Sequence, residues 1–282
     1  MTVLFLCSFT MDKPAYRLFS GKGKSVKYKK VLKELAAADV VFFGEQHNDP
    51  IAHWLELELA KDLYQIHGKN LVIGMEMWEA DTQSEIDSFL MGQLEEAVFM
   101  ERSRVWPNYT TDYRPVLLFA KENGLKVIAT NVPRRHARTV ARESLNSLDT
   151  LSQQEKAWLA PLPIMVDMEL PGYKRMRSMF GDTHGASAAS SKMIEAQALK
   201  DATMAHYIHQ NLQPGQHLLH LNGSYHSDHQ EGIIWYLRKL RPESKLKTIT
   251  TVAQPSLEDL GKDHLQRADV VLVVPETMTK TY

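Results

Sequence analysis

Asp39-Val40-Val41-Phe42-Phe43-Gly44-Glu45-Gln46-His47-Asn48-Asp49-Pro50 is the stretch that decides the fold. Five residues, four of them apolar, lead straight into a glycine, a carboxylate and a histidine. A short unbroken apolar run is the form a β-strand takes when both of its faces are covered. A proline then opens a helix to about Tyr64, with Trp54, Leu55, Leu59 and Leu63 spaced for a core face. The same design recurs downstream. Leu71-Val72-Ile73-Gly74-Met75-Glu76-Met77 is an apolar strand that reaches a carboxylate. Lys126-Val127-Ile128-Ala129-Thr130 runs into Asn131-Val132-Pro133-Arg134. His217-Leu218-Leu219-His220-Leu221 runs into Asn222-Gly223-Ser224-Tyr225-His226.

Between these strands lie helical stretches, roughly Thr82 to Met100, Arg114 to Asn123 and Ser190 to Leu212, and Gly124 closes the second. A helix over Gly232 to Leu240 and two late strands, Lys247 to Val252 and Asp269 to Val274, follow. Near the start, Tyr16 to Val26 reads as a small hairpin around a glycine turn, and Tyr28 to Ala38 as a helix. Strands alternating with helices predict an α/β fold: a mainly parallel sheet with helices on both faces. Residues 139–190, interrupted by Pro161, Pro163 and Pro171, are too long for a plain crossover and predict a helical insertion. The organisation is thus a tail over residues 1–15 and a single domain over residues 16–282.

Composition narrows the partners. Lys+Arg is 33 against Asp+Glu 34, which gives no global positive field to attract nucleic acid. No apolar run is long enough to be a transmembrane helix. Cys7 is the only cysteine, so a zinc site built on several thiolates is excluded and the 12 histidines are the main soft ligands. Val3-Leu4-Phe5-Leu6-Cys7-Ser8 could end a secretory or lipoprotein signal that anchors the chain to a membrane, or be an ordinary N-terminal segment.

Ligands of an open parallel sheet collect beyond the carboxyl ends of its strands. Here those ends deliver Glu45 and His47, Glu76, Asn131 and Arg134, and Asn222, Tyr225 and His226. Gly44-Glu45-Gln46-His47 and Gly223-Ser224-Tyr225-His226 share a Gly-x-x-His form, in which the glycine lets the chain turn and the histidine face back. His47, His226, Glu45 and Glu76 form an N/O set suited to a divalent metal. Their alternative role is to satisfy backbone N–H groups or Arg134. The insertion carries Tyr173, Met176, Phe180 and His184 beside Arg175, an apolar plate with axial donors and a propionate partner of the kind haem requires. Its alternative is an amphipathic helix packed on the sheet. Tyr173 and His184 are the axial candidates, with Lys174 and Arg175 placed to favour a phenolate.

These strand-end motifs, with Gln197-Ala198-Leu199-Lys200-Asp201 and Met204-Ala205, resemble the ChaN-like haem-binding uptake proteins, which stand with the Tiki proteases and erythromycin esterases in one superfamily. The likeness spans about Tyr16 to Val274. It implies an α/β fold, an iron-regulated role in the bacterial cell envelope, and haem held between two protomers. The Tiki branch implies a metal at His47, His226 and Glu45 or Glu76. The expected function is therefore non-catalytic haem or iron uptake in the periplasm or at the outer membrane, by a homodimer. The alternative is a metal-dependent hydrolase, in the envelope or the cytoplasm, with Glu45 or Glu76 as general base.

Overall fold

The computed structural model describes residues 13–179 and 188–282. Phe180, His184 and the segment around Cys7 lie outside these residues. Seven strands form one sheet in the order β1-β7-β6-β2-β5-β3-β4. They are β1 (Arg17–Ser20), β2 (Val40–Glu45), β3 (Leu71–Glu79), β4 (Lys126–Asn131), β5 (His217–Gly223), β6 (Leu246–Gln254) and β7 (Val270–Pro275). Every pairing is parallel except β1 with β7. The chain passes from β2 to β3 and the edge strand β4, then returns to insert β5 between β2 and β3. That return brings the two Gly-x-x-His segments onto neighbouring strands, with Gly44 opposite Asn222.

The buried strand residues alternate between two cores. Val41 and Phe43, Ile73 and Met75, and Leu219 and Leu221 pack toward α1 (Tyr28–Ala36), α2 (Pro50–His67) and α5 (Arg114–Asn123). Val40 and Phe42, Val72, and Leu218 pack on the other face. There they meet α8 (Pro171–Met179), α9 (Ala188–Asn211) and α10 (Ile233–Leu240). This two-residue period carries on to the strand ends, so Glu45 shares a face with Phe43, whereas Glu76 shares one with Val72. Asp49 caps α2, its Oδ1 accepting from the N–H groups of Ile51 and Ala52 at 3.1 Å, and Pro50 occupies the first turn.

Four expectations are corrected. The N-terminal hairpin reduces to one bridge between Phe19 and Ser25. β1 pairs with β7 instead, because an isolated two-stranded ribbon is marginal and the sheet edge buries Leu18 and Phe19. The helix over Thr82 to Met100 splits into α3 (Gln83–Leu90) and α4 (Glu96–Arg102), since Gly92 turns the chain through a left-handed conformation. α6 (Arg134–Glu143) runs into the start of the insertion, and within it the four-residue α7 (Gln153–Lys156) and α8 are helical. Residues 157–170 form no regular helix, as Pro161 and Pro163 remove the N–H groups a helix needs. On α2, Leu55, Leu59 and Leu63 enter the core, but Trp54 is exposed and meets the Tyr16 ring.

Candidate functional site

The carboxyl ends of β2, β3, β4 and β5 surround a cavity of about 190 Å³ lined by His47, Glu76, Trp106, Asn131, Arg134, Lys200 and His226, together with Glu79 and Val132. Its two histidines are held differently. His47 Nδ1–H donates to Glu45 Oε1 at 2.6 Å, and Nε2 has no hydrogen-bond partner among the described residues. Trp106 packs edge-on against the His47 ring, their centroids 4.9 Å apart. A Cβ on Gly223 would come within 2.9 Å of His47 Nε2 and 3.6 Å of a Glu76 oxygen, so only glycine lets β5 pass under that ring. His226 is clamped on both sides: Nε2 lies 3.1 Å from Glu76 Oε1 and Nδ1 lies 2.5 Å from Asp201 Oδ1. Glu76 Oε2 accepts the N–H of Gly223 at 2.7 Å.

The charges follow from these contacts. Burial would lower the His226 pKa, but Glu76 and Asp201 outweigh it and hold the ring up to about 10. His226 is therefore an imidazolium at neutral pH. Glu76, although buried, is driven below the ordinary carboxylate range by His226 and His47. Burial also opposes ionisation of Glu45, yet hydrogen bonds from His47 and His53 lower it to about 2. Burial opposes protonation of His47 too, but Glu45 and Glu76 raise its pKa.

His47, Glu76 and His226 thus meet around one cavity, and Asn131 and Arg134 line it. Glu45 touches His47 from behind, on the opposite face of the sheet, and does not line the cavity. Asn222 turns inward to His220, Ser227 and the Gly223 carbonyl. Tyr225 is 43% exposed, and its hydroxyl lies 3.1 Å from Sδ of Met179, itself 73% exposed. They adjoin a second cavity, of about 180 Å³, whose lining includes Tyr173, Arg175, Met176, His229 and Arg267.

The axial assignment of Tyr173 is corrected. Tyr173 is 4% exposed, and its hydroxyl donates to Asp201 Oδ2 at 3.1 Å. Burial and the Asp201 charge drive its pKa far above the ordinary range, so no phenolate forms there. Lys174 and Arg175, expected to favour one, pair with Glu169 and Glu231. Met176 is half-buried against the core and Arg175 lines the cavity mouth. Phe180 and His184 lie outside the described residues.

Several members of the site escaped the reading of strand ends because they come from helices. Asp201 and Gln197 sit one turn apart on α9 and both reach His226. Their spacing of four within the quoted motif was the available signal. Lys200 lies in the same motif, whereas Trp106, in the loop after α4, carried no signal. Nor did Asp112 and Tyr113, which a π-helical turn, Tyr109–Tyr113, places against His53 and Glu45.

Two carboxylate-backed histidines thus stand at the strand ends of a doubly covered, mainly parallel sheet, which makes this an α/β protein with a polar rim cavity. The family profile for haem-binding uptake, Tiki superfamily, ChaN, matches residues 31–237, and the chain belongs to that family. The fold is similar to that of ChaN of Campylobacter jejuni, whose structure is described as cofacial heme binding. The TM-score is 0.69 at 17% identity, covering 92% of this chain and 96% of that one. A Bacillus cereus protein shares the fold at TM-score 0.50 and 11% identity, covering 88% of this chain and 90% of that one. The chain is 27% identical over 139 residues, 47% of its length, to the chloroplastic protein RETICULATA-RELATED 5 of Arabidopsis thaliana. It spans 18% of that relative's length. No helix among the described residues is long and apolar enough to cross a membrane.

Proposed function

We propose that the chain binds haem at its surface and serves haem or iron uptake in the cell envelope without catalysing a reaction. Family membership supports the ligand, and the exposed Met179–Tyr225 pair carries the placement. The adjoining cavity of about 180 Å³ is smaller than the ~300–1,000 Å³ pockets that enclose a ligand of drug size. A haem therefore lies across the cavity mouth rather than inside it. Tyr225 offers an accessible phenol oxygen to ferric iron, the exposed Met179 offers apolar surface, and Arg175 and Arg267 would exchange Glu231 and Asp228 for the propionates. One face of the plate stays open, which favours a second copy of the chain as the other wall. Haemin titration followed by absorbance tests this reading. Tyr225→Phe is expected to alter the ferric spectrum and weaken binding about 10-fold, the loss of ~1.4 kcal/mol. Met179→Ser is expected to weaken binding less, and the buried Tyr173→Phe to leave the spectrum unchanged. A wild-type spectrum in Tyr225→Phe sinks the placement, and cell fractionation tests the location.

One observation favours hydrolysis as a second reading: His47 is oriented by Glu45, and its Nε2 is free at the cavity beside Glu76. Both Glu76 oxygens are engaged and Glu45 is turned away, so His47 Nε2 is a better general base than either carboxylate. A divalent metal at His47 and Glu76 would supply Lewis-acid chemistry there, but His226 would join it only by giving up a proton and one of the carboxylates that face its two nitrogens. A panel of ester, amide and phosphate substrates tests this reading: turnover that His47→Ala abolishes supports it, and no turnover removes it.

A further inference from the structure

Behind His47, on the face of the sheet opposite Glu76 and His226, lies a second group of ionisable side chains. Glu45 at the end of β2 and His53 and Glu56 on α2 are all buried. Each offers a ligand atom, and these atoms lie within 4.8 Å of one another. His53 Nε2 lies 3.2 Å from the His47 carbonyl oxygen and 3.4 Å from Asp112 Oδ2. Both are acceptors only, so Nε2 carries the ring's first proton. The other nitrogen, Nδ1, then faces two carboxylates, 3.1 Å from Glu56 Oε2 and 3.3 Å from Glu45 Oε2. A lone pair facing two carboxylates is repulsive unless something positive stands between them.

The carboxylates are under-satisfied as well. Among the described residues, Glu56 Oε1 is buried without a hydrogen-bond partner, and Glu45 Oε2 has only the His53 ring, 3.3 Å away. A buried carboxylate oxygen left this way is costly. The nearby Asp49 is matched by Lys280, at 2.9 Å, whereas no lysine or arginine pairs with Glu45, Glu56 or Asp112 among the described residues. We propose that Glu45, His53 and Glu56 form a buried binding site for a divalent transition-metal ion, separate from the strand-end cavity. A tetrahedral ion with bonds of roughly 2.0–2.2 Å spans ligand-to-ligand edges of about 3.3–3.6 Å. The two Nδ1-to-oxygen separations lie at or just below that range, and the free Glu56 Oε1 supplies a further donor. One imidazole with carboxylate oxygens suits zinc or manganese(II). Such an ion fixes Glu45, and through its bond to His47 Nδ1 fixes the orientation of the cavity histidine.

In the competing arrangement, protons stand where the ion would. The cluster then holds His53 up to about 11 against its burial, and burial with the Glu45 charge lifts Glu56 well above the carboxylate range. Metal entry must displace such protons, which gives the test a readout besides stoichiometry. The full chain, stripped with a chelator, is titrated with zinc and then with manganese(II) by calorimetry in buffers of different ionisation enthalpy. The expected result is one equivalent bound with a Kd below about 1 µM and release of at least one proton. Glu56→Gln, which keeps the shape and removes one charge, is expected to weaken binding at least 10-fold. His226→Ala is expected to retain the equivalent. X-ray absorption on the loaded wild type is expected to show a single imidazole, a measurement that stands whether or not Glu56→Gln folds. Failure of the wild type to bind either ion below about 100 µM overturns the site. So does a spectrum with two imidazoles, or an equivalent lost in His226→Ala and kept in Glu56→Gln, which moves the ion to the cavity.

Discussion

The two Gly-x-x-His segments have the same spacing and lie at the ends of adjacent strands, yet the fold uses them differently. The His47 side chain is 37% exposed, has one carboxylate behind it and keeps a free ring nitrogen. The His226 side chain is 7% exposed and is locked between Glu76 and Asp201. Position along a strand brought both histidines to the rim. The helix packed on each face then decided their chemistry. α9 carries Asp201 and turns His226 into a structural cation, whereas His47 projects into the cavity beside Trp106 and remains available for a ligand.

The sharpest way to break this contrast is to remove each ring in turn. His226→Ala leaves Glu76 and Asp201 as buried charges without their cation, and unfolding by urea is expected to show a loss of about 3–5 kcal/mol. His47→Ala is expected to cost about 1 kcal/mol or less, because Glu45 keeps the Tyr113 hydroxyl at 2.8 Å and the His53 ring. Equal losses in the two variants would show that the histidines are not held differently.

The glycines of the two segments should differ next. A Cβ on Gly44 would lie 2.9 Å from the Ser224 Cα and 3.1 Å from the Ile249 carbonyl oxygen, both backbone. Gly44→Ala is therefore expected to lower stability by about 1–3 kcal/mol. The Cβ of Gly223→Ala meets mainly the His47 ring, which can swing toward solvent. Its thermal midpoint is expected to fall less, while the cavity loses the His47 position. A larger loss at position 223 would mean that the ring is more firmly held than its exposure implies.

A smaller effect separates the histidines by pH. The folded pKa of His226, raised to about 10, lies above the ordinary ~6.5 of an unfolded chain. Its contribution is complete below pH ~6.5 and is lost as pH rises toward 10. His220 behaves in the opposite sense. Burial lowers its pKa to about 4, and it sits neutral between Thr130 and Asn222. Its contribution is present above pH ~6.5 and is lost as pH falls through about 4. Stability, measured by unfolding across pH 4–10, should therefore peak near 6.5. His226→Gln should shrink the alkaline limb, leaving the part that His53, held up to about 11, and His47 contribute with the same sign, and His220→Gln should shrink the acid limb alone. An alkaline limb unchanged in His226→Gln would assign it wholly to those other histidines.

Much of this arrangement was legible before any coordinates. The apolar runs ending at Glu45, Glu76, Asn131 and Gly223 marked four parallel strands and one rim, because a strand covered on both faces has to be apolar throughout. Strand parity, counted by twos from Phe43 and from Val72, puts Glu45 and Glu76 on opposite faces, against their grouping as ligands of one metal. Tyr173 misled for a different reason. A tyrosine among methionines and arginines reads as an accessible plate, and the sequence carries no sign that α8 lies down on α9 with Asp201 beneath the phenol.

Residue order alone sets the local choices: which segments are strands, where each ends, and which chemical groups stand at those ends. These depend on hydrophobic period and on glycine and proline placement, properties of neighbours along the chain. Which carboxylate reaches which histidine is set by how the segments pack together. His226 became a buried cation because a residue 25 positions away on α9 faces it, and His53 met Glu45 because α2 folds back under β2. Ion pairing inside a protein depends on distance and dielectric, and both are set by packing between segments remote in sequence.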